Sequence, residues 1–205
     1  MDSDQLAQIK NWLGKGSINI FGRPFAGKDT QAARLANTFG ATVLGGGDIL
    51  RNSVIPEHVD AALRRGALIP SDDYVNIVLP YLSREEFSNQ PLILSSVGRW
   101  IGEEQGVIDA LKRANHDLKL VIYLDISEAT VRERWKRLED HDDRGGRYDD
   151  TADVLEKRLT EYHDKTLPVL EEYKTRNLLC VINGAQTPDA VFDDIINQLA
   201  ILSKP

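Results

Sequence analysis

At 205 residues, with 41% hydrophobic and 28% charged side chains, the chain is long enough for one domain with a sizeable core and has an ordinary globular composition. A formal net charge of −7 and a pI near 5.1 argue against a long nucleic acid as partner, which requires a basic footprint, but leave room for small anions held by a local cluster of arginines. A single cysteine, Cys180, excludes an intramolecular disulfide, the stretch from Met1 to Lys15 is polar with no apolar signal-like core, and no run is long enough to span a bilayer, so a soluble cytoplasmic protein is expected.

Short apolar runs alternate with amphipathic stretches along the chain. Residues 1–16 read as an N-terminal extension, a helix or tail that packs Trp12, and 17–205 as one domain. Ser17 to Phe21 predicts a first strand, ended by Gly22. Lys28 to Phe39 predicts a helix with Ala32, Leu35, Ala36 and Phe39 on one face. Thr42 to Leu44 reads as a second strand, followed by three glycines. Helices are expected over Pro56 to Arg65 and over Asp72 to Leu82, the second with Ser71 as N-cap. Pro91 to Leu94 predicts a third strand, apolar throughout and therefore buried on both faces. Trp100 to Ala114 reads as a helix, Leu120 to Leu124 as a fourth strand, and Glu128 to Leu138 as a helix capped by Ser127. Glu139 to Tyr148 is polar and reads as a surface loop. Thr151 to Arg176 reads as one long helix kinked near Pro168. Leu178 to Ile182 predicts a fifth strand that buries the Cys180 thiol, and Pro188 to Leu202 a final helix. Five strands alternating with helices predict an α/β fold of three layers, a five-stranded parallel sheet with helices on both faces. Ligands of such sheets bind beyond the carboxyl ends of the strands.

The stretch from Gly22 to Thr30 (GRPFAGKDT) follows the first strand and opens the first long helix. Its spacing, Gly-x4-Gly-Lys, fits a P-loop, in which glycines turn backbone N–H groups toward phosphate oxygens and a helix N-terminus adds partial positive charge. Gly22, Pro24, Ala26, Gly27, Lys28, Asp29 and Thr30 are the candidate ATP contacts, Lys28 as a point charge on the terminal phosphates. Directly after the lysine the usual motif carries Ser or Thr as a Mg²⁺ ligand; here Asp29 holds that place and Thr30 comes one later.

From this loop to the C-terminus the sequence resembles the adenylate kinases and related nucleoside monophosphate (NMP) kinases. Gly47 to Arg51 (GGDILR with its preceding glycine) is similar to that family's Gly-Asp-x-Leu-Arg, Gly66 to Asp72 to the segment that closes the NMP site, and Arg147 to Asp150, Arg158 and Tyr162 to its Arg-x-Asp-Asp and Arg-Leu-x-x-Tyr. The resemblance implies a P-loop kinase fold with an NMP-binding insert over about 45–70 and a short lid over about 137–150. It implies Arg51 and Arg99 on the acceptor phosphate, with Asp48, Ile69 and Glu103 in the same site. Lys28, Arg134, Arg147 and Arg158 would be catalytic, gathered on the donor and the moving phosphoryl group, and Arg134 would also bind ATP. Bidentate guanidinium groups suit that chemistry, which needs positioning and charge neutralisation more than covalent help. Mg²⁺ is expected, held through water by Asp48 and Asp29. The lid lacks the cysteine or histidine set of zinc-bearing relatives, so no zinc is expected. The partners implied are small-molecule nucleotides, with no nucleic acid and no membrane, acting on a monomer.

Two departures leave alternatives open. Ser95 stands where the family carries a carboxylate at the end of the third strand. That substitution keeps open a weakly active nucleotide-binding sensor, and a P-loop kinase for another small acceptor is a further alternative. Glu103 stands where a glutamine reads adenine, and a carboxylate offers acceptors only, matching guanine's donors better. AMP is the acceptor implied by the family, with GMP or another NMP as the alternative.

Overall fold

All six residues of β1 (Ser17–Gly22) are buried, because this strand runs down the middle of a sheet covered on both faces. In the computed structural model, which describes residues 2–139 and 151–204, β1 is flanked by β3 (Leu92–Ser95) and β4 (Leu118–Asp125), with β2 (Thr42–Gly45) and β5 (Leu179–Asn183) outside them. The order is β2-β3-β1-β4-β5 and every pairing is parallel. Ile20 lies beside Ser95 on one side and Ile122 on the other, so β1 and its neighbours end at one edge. The chain turns from one half of the sheet to the other about β1, and the loops at that edge form the crevice where ligands of open α/β sheets bind.

One face is covered by α1 (Ser3–Leu13), α2 (Lys28–Phe39) and α10 (Pro188–Leu202), the other by α5 (Ser71–Tyr81), α6 (Glu103–Arg113) and α9 (Leu167–Thr175). Local chemistry starts and stops these helices. Gly27 and Gly40 flank α2 in the left-handed region, and Thr187 caps α10 by accepting from Ala190 N at 3.3 Å, with Pro188 next. Ser127 caps α7 (Glu128–Glu139) as expected, accepting from Thr130 N at 3.1 Å.

The structure corrects several expectations. Residues Gly46–Arg51 form a short helix, α3, that the sequence reading did not include; α4 (Glu57–Arg64) follows. Pro70, not Ser71, precedes α5; Ser71 is its first residue, and its hydroxyl donates to Glu103. The helix expected from Trp100 begins only at Glu103, after Gly102 at φ 94°. Residues 152–175 are helical without a break, as expected, and the irregularity near Pro168 takes the form of a wider ladder rather than a simple kink. They form α8 (Ala152–Glu161) and α9, joined by a π-helical turn over Tyr162–Thr166. Pro168, in the first turn of α9, lacks an N–H and crowds the preceding turn, so the ladder widens ahead of it. β5 is an edge strand with Val181 58% exposed, and Cys180 is half-buried rather than buried, its thiol pKa raised by desolvation.

Candidate active site

The phosphate loop leaves β1 between β3 and β4. A Cβ on Gly22 would lie 2.9 Å from both the Ala26 Cβ and the Leu124 carbonyl, so only glycine fits there. Gly27, at φ 91°, needs its freedom for a different reason, since the turn into α2 runs through the left-handed region. Phe25 takes the same region at φ 62°. Lys28 Nζ donates to the carbonyls of Gly22 and Arg23, at 2.9 and 3.0 Å, which holds the ammonium over the loop. Arg23 points away from the hollow. Its guanidinium donates to Tyr123 Oη (2.8 Å) and Ile126 O (2.9 Å) and pairs with Asp125 at 3.3 Å, moored to the end of β4.

Above the loop lies an open hollow walled by Lys28, Arg51, Arg99 and Arg158, with Asp29 and Asp48 as its acidic members. Among the described residues, four cations against two carboxylates give this one place a positive balance on a protein whose net charge is −7. Arg51 pairs with Asp48 at 2.6 Å, and Ser95 Oγ donates to Asp29 Oδ1 at 3.2 Å. Arg99 is the most unusual member. Its Nε is buried and has no hydrogen-bond partner among the described residues. Burial pushes its pKa down, and the nearby charge of Arg158 adds to that. A half-buried guanidinium with an unpartnered Nε, facing another cation, is a site for an anion.

Arg99, Gly47 and Ser96 also border a second hollow, an apolar slot between α3, α5 and the loop after β3. Leu50, Leu63, Ile69 and Trp100 line it. Trp100 Nε1 donates to Ile69 O at 3.0 Å. Tyr74 Oη accepts from Gly98 N at 2.8 Å, and burial raises its pKa well above the usual phenol range. Glu103 borders the slot, but both of its oxygens are engaged by the protein. Oε1 accepts from Ser71 Oγ at 2.8 Å; Oε2 accepts from Arg99 N at 2.8 Å and Trp100 N at 3.0 Å.

Of the residues singled out from the sequence, the structure therefore brings Gly22, Pro24, Lys28, Asp29, Asp48, Arg51, Arg99 and Arg158 around one hollow, with Ile69 and Glu103 in the adjoining slot. Ala26 is buried beneath the loop, and Thr30 is exposed on α2 outside the hollow. Arg134 was expected to converge on the moving phosphoryl group. It donates to Phe25 O (3.1 Å) and Gly184 O (2.7 Å), beside the phosphate loop. Arg147 and the lid expected over 137–150 lie outside the described residues, apart from the end of α7. Sequence reasoning missed Ser96, Tyr74 and Asn19. Buried Asn19 grips Val97, donating to its O (2.7 Å) and accepting from its N (3.3 Å), and so fixes the loop after β3. A polar residue inside an otherwise apolar strand was the available signal.

The donor set suits Mg²⁺. Two carboxylates and a hydroxyl offer hard oxygen ligands beside the phosphate loop, and that ion keeps much of its water when shared with a nucleotide. Among the described residues no group of three His, Cys, Asp or Glu could cage an ion alone. No described helix is long and apolar enough to cross a membrane.

Comparison with known proteins agrees with this geometry. A model of the adenylate kinase family matches residues 20–178. The adenylate kinase of Agrobacterium fabrum is 33% identical over 184 residues, covering 86% of this chain and 93% of its own. That of Thermus thermophilus is 30% identical over 190 residues, covering 90% and 97%. That of Phocaeicola vulgatus is 29% identical over 185 residues, covering 88% and 96%. These matches show that the chain belongs to the adenylate kinase family and is a phosphotransferase with a phosphate group as acceptor, taking ATP and an NMP to ADP and a nucleoside diphosphate.

Proposed function

We propose that this protein transfers the γ-phosphoryl group of ATP to AMP. The observation that carries the reading is Arg99, a half-buried side chain with a buried, unpartnered Nε, on the wall shared by the cationic hollow and the apolar slot. An acceptor whose base fills the slot would place its phosphate against Arg99 and Arg51, facing the phosphate loop. AMP is favoured as that acceptor because the relatives are adenylate kinases and because the oxygens of Glu103, the residue that pointed to guanine, are turned to protein donors.

In this reading the loop N–H groups and Lys28 hold the donor phosphates, and Arg158, with Arg147 from the lid, neutralises charge on the moving phosphoryl group. Arg134 keeps the loop in shape through Phe25 O. Asp29 and Asp48 would hold Mg²⁺, with Ser95 orienting Asp29. The ion, bound with ATP, supplies further neutralisation of phosphate charge. An acceptor phosphate oxygen needs no strong base, so alignment and charge stabilisation carry the catalysis. Both hollows are built from one chain, which supports action as a monomer, on free nucleotides of the cytoplasm.

The test is diphosphate formation from ATP and Mg²⁺ with AMP, GMP, CMP, UMP and dTMP offered separately. AMP should give the highest kcat/KM, and Arg99→Ala should lower it by about 100-fold or more. Faster turnover with another NMP would overturn the assignment of the base. Absence of turnover with all five, in folded protein that binds ATP, would overturn the assignment of the acceptor class.

A further inference from the structure

Between β3 and α6 the chain bends sharply, with Ser96, Gly98 and Gly102 all at positive φ (53°, 77° and 94°). Such a loop offers its N–H groups no regular ladder, so each needs a partner from elsewhere. Gly98 N finds Tyr74 Oη, and the amides of Arg99 and Trp100 find the carboxylate of Glu103. Glu103 is 3% exposed. Its other oxygen reaches across the slot to Ser71, and beside it the Trp100 indole reaches across to Ile69 O. Ile69 and Ser71 flank Pro70, whose ring stiffens that tripeptide. Two ties therefore join one short rigid segment to the loop that carries Arg99. Lys165 Nζ sits 4.0 Å from the centroid of the Trp100 ring and covers its far side.

Arg99 needs such support. Its Nε has no partner among the described residues, so that atom does not help to fix the guanidinium. Its placement is inherited from its backbone, and the backbone is held by Glu103.

We propose that Glu103 is a positioning residue: it clamps residues 69–71 to the loop of residues 96–102 and thereby aims Arg99 at the acceptor phosphate, rather than reading the acceptor's base. The proposal rests on the acceptor reading given above. It assigns to Glu103 an effect on every acceptor alike, since a phosphate is common to all NMPs. A charged acceptor suits the task, because one carboxylate oxygen can hold two N–H groups while the other takes the hydroxyl. A base edge would have to compete with Ser71 for that second oxygen.

The test compares Glu103→Gln with Glu103→Ala. A glutamine can keep its carbonyl oxygen on the two amides, while the Ser71 hydroxyl turns to accept from its NH₂. Glu103→Gln should therefore stay within about 3-fold of wild type with the AMP-to-GMP preference unchanged. Glu103→Ala should lower kcat/KM by about 10- to 100-fold for AMP and GMP in the same proportion, with KM for ATP unchanged. Amide hydrogen exchange supplies a readout independent of turnover. Arg99 and Trp100 should exchange faster in Glu103→Ala while β1 and β3 stay protected. A shift of about tenfold or more in the AMP-to-GMP ratio of Glu103→Gln would show base reading and overturn the proposal. Unchanged exchange at the two amides would overturn it as well. Should Glu103→Ala fail to fold, Ser71→Ala removes one arm of the clamp alone; it should cost a few-fold for both acceptors, and wild-type values would overturn the proposal. Were the wild type to phosphorylate no NMP, the acceptor reading would fall, and the exchange of the two amides would still measure the clamp.

Discussion

Asp29 is a carboxylate placed directly after the phosphate-loop lysine, in the first turn of α2, with Ser95 Oγ 3.2 Å away at the end of β3. The pair reads as a displaced function. On the proposed function, the carboxylate that would order a metal's water shell from the sheet stands instead on the helix, where the hydroxyl would orient it. Asp29→Asn should raise the Mg²⁺ concentration needed for half-maximal turnover by about 10-fold or more, in the range seen when groups supporting a metal are removed. Mn²⁺ binding to the ATP-loaded protein, read by its paramagnetic relaxation, should weaken in step. Joining Asp29→Gly to Ser95→Asp moves the carboxylate back across that contact and should restore both quantities. An unchanged Mg²⁺ requirement in Asp29→Asn would remove Asp29 from the metal's surroundings. Lys28, Arg51 and Arg99 were legible in the sequence because their spacing from glycines and strand ends is set by the loops that carry them. The engagement of Glu103 was not, because it depends on a loop with three positive φ values that bring two backbone amides onto one carboxylate. Arg134 was singled out for the donor and the moving phosphoryl group, while its bonds to Phe25 O and Gly184 O were not legible, since a motif gives no direction to a long side chain.

The turn between α8 and α9 is the element that departs most from its sequence pattern. Apolar spacing runs unbroken through residues 151–176, and nothing in it marks where five residues take a wider ladder. Strands and most helices were legible because their periodicity is a consequence of the core they face; Pro168 marked the place of the irregularity in the sequence, but the π-helical form of the ladder is visible only in the hydrogen bonds. The turn sets Glu161 between Lys157, at 3.0 Å, and Lys165, and directs Lys165 over Trp100. Burial alone would raise the pKa of Glu161, but Lys165 and Lys157 overcome this and hold it below the ordinary carboxylate range. A depressed folded-state pKa contributes stability above the unfolded value and loses it as pH falls through the folded one. Glu161→Gln should thus cost about 1–3 kcal/mol at pH 7, and its melting temperature should converge on that of wild type below about pH 4. A difference that persists undiminished into acid would show that Glu161 acts by packing and not by charge.

Across the whole molecule, the parts that supply stability and the parts that supply chemistry share one strand. β1 ends in the phosphate loop, while its opposite end is sealed by the N-terminal segment. Ser17 Oγ donates to His116 O at 2.9 Å, and His116 Nδ1 lies 2.7 Å from Lys15 O. Helix α1 lies before residues 20–178, the part matched by the family, yet Ile9 and Leu13 are 0% and 1% exposed and join the same apolar cluster as Ile20, Leu35 and Leu199. The helix is integral to the core and remote from the hollow that holds Arg99. Leu13→Ala should therefore cost about 2–5 kcal/mol, the penalty of a cavity in a closely packed interior, and lower the melting temperature by about 5–15 °C. Below the transition its kcat and its KM for AMP and ATP should match wild type. A changed KM with an intact melting curve would mean that α1 acts on the site through β1, whereas a lower melting point with constant kinetics separates the two contributions. The sign of the charge supports the second outcome. Four of the cations that define the site sit at the crevice end of the sheet on a chain that is acidic overall, so what selects the nucleotide is local to that end and owes nothing to the helix sealing the other.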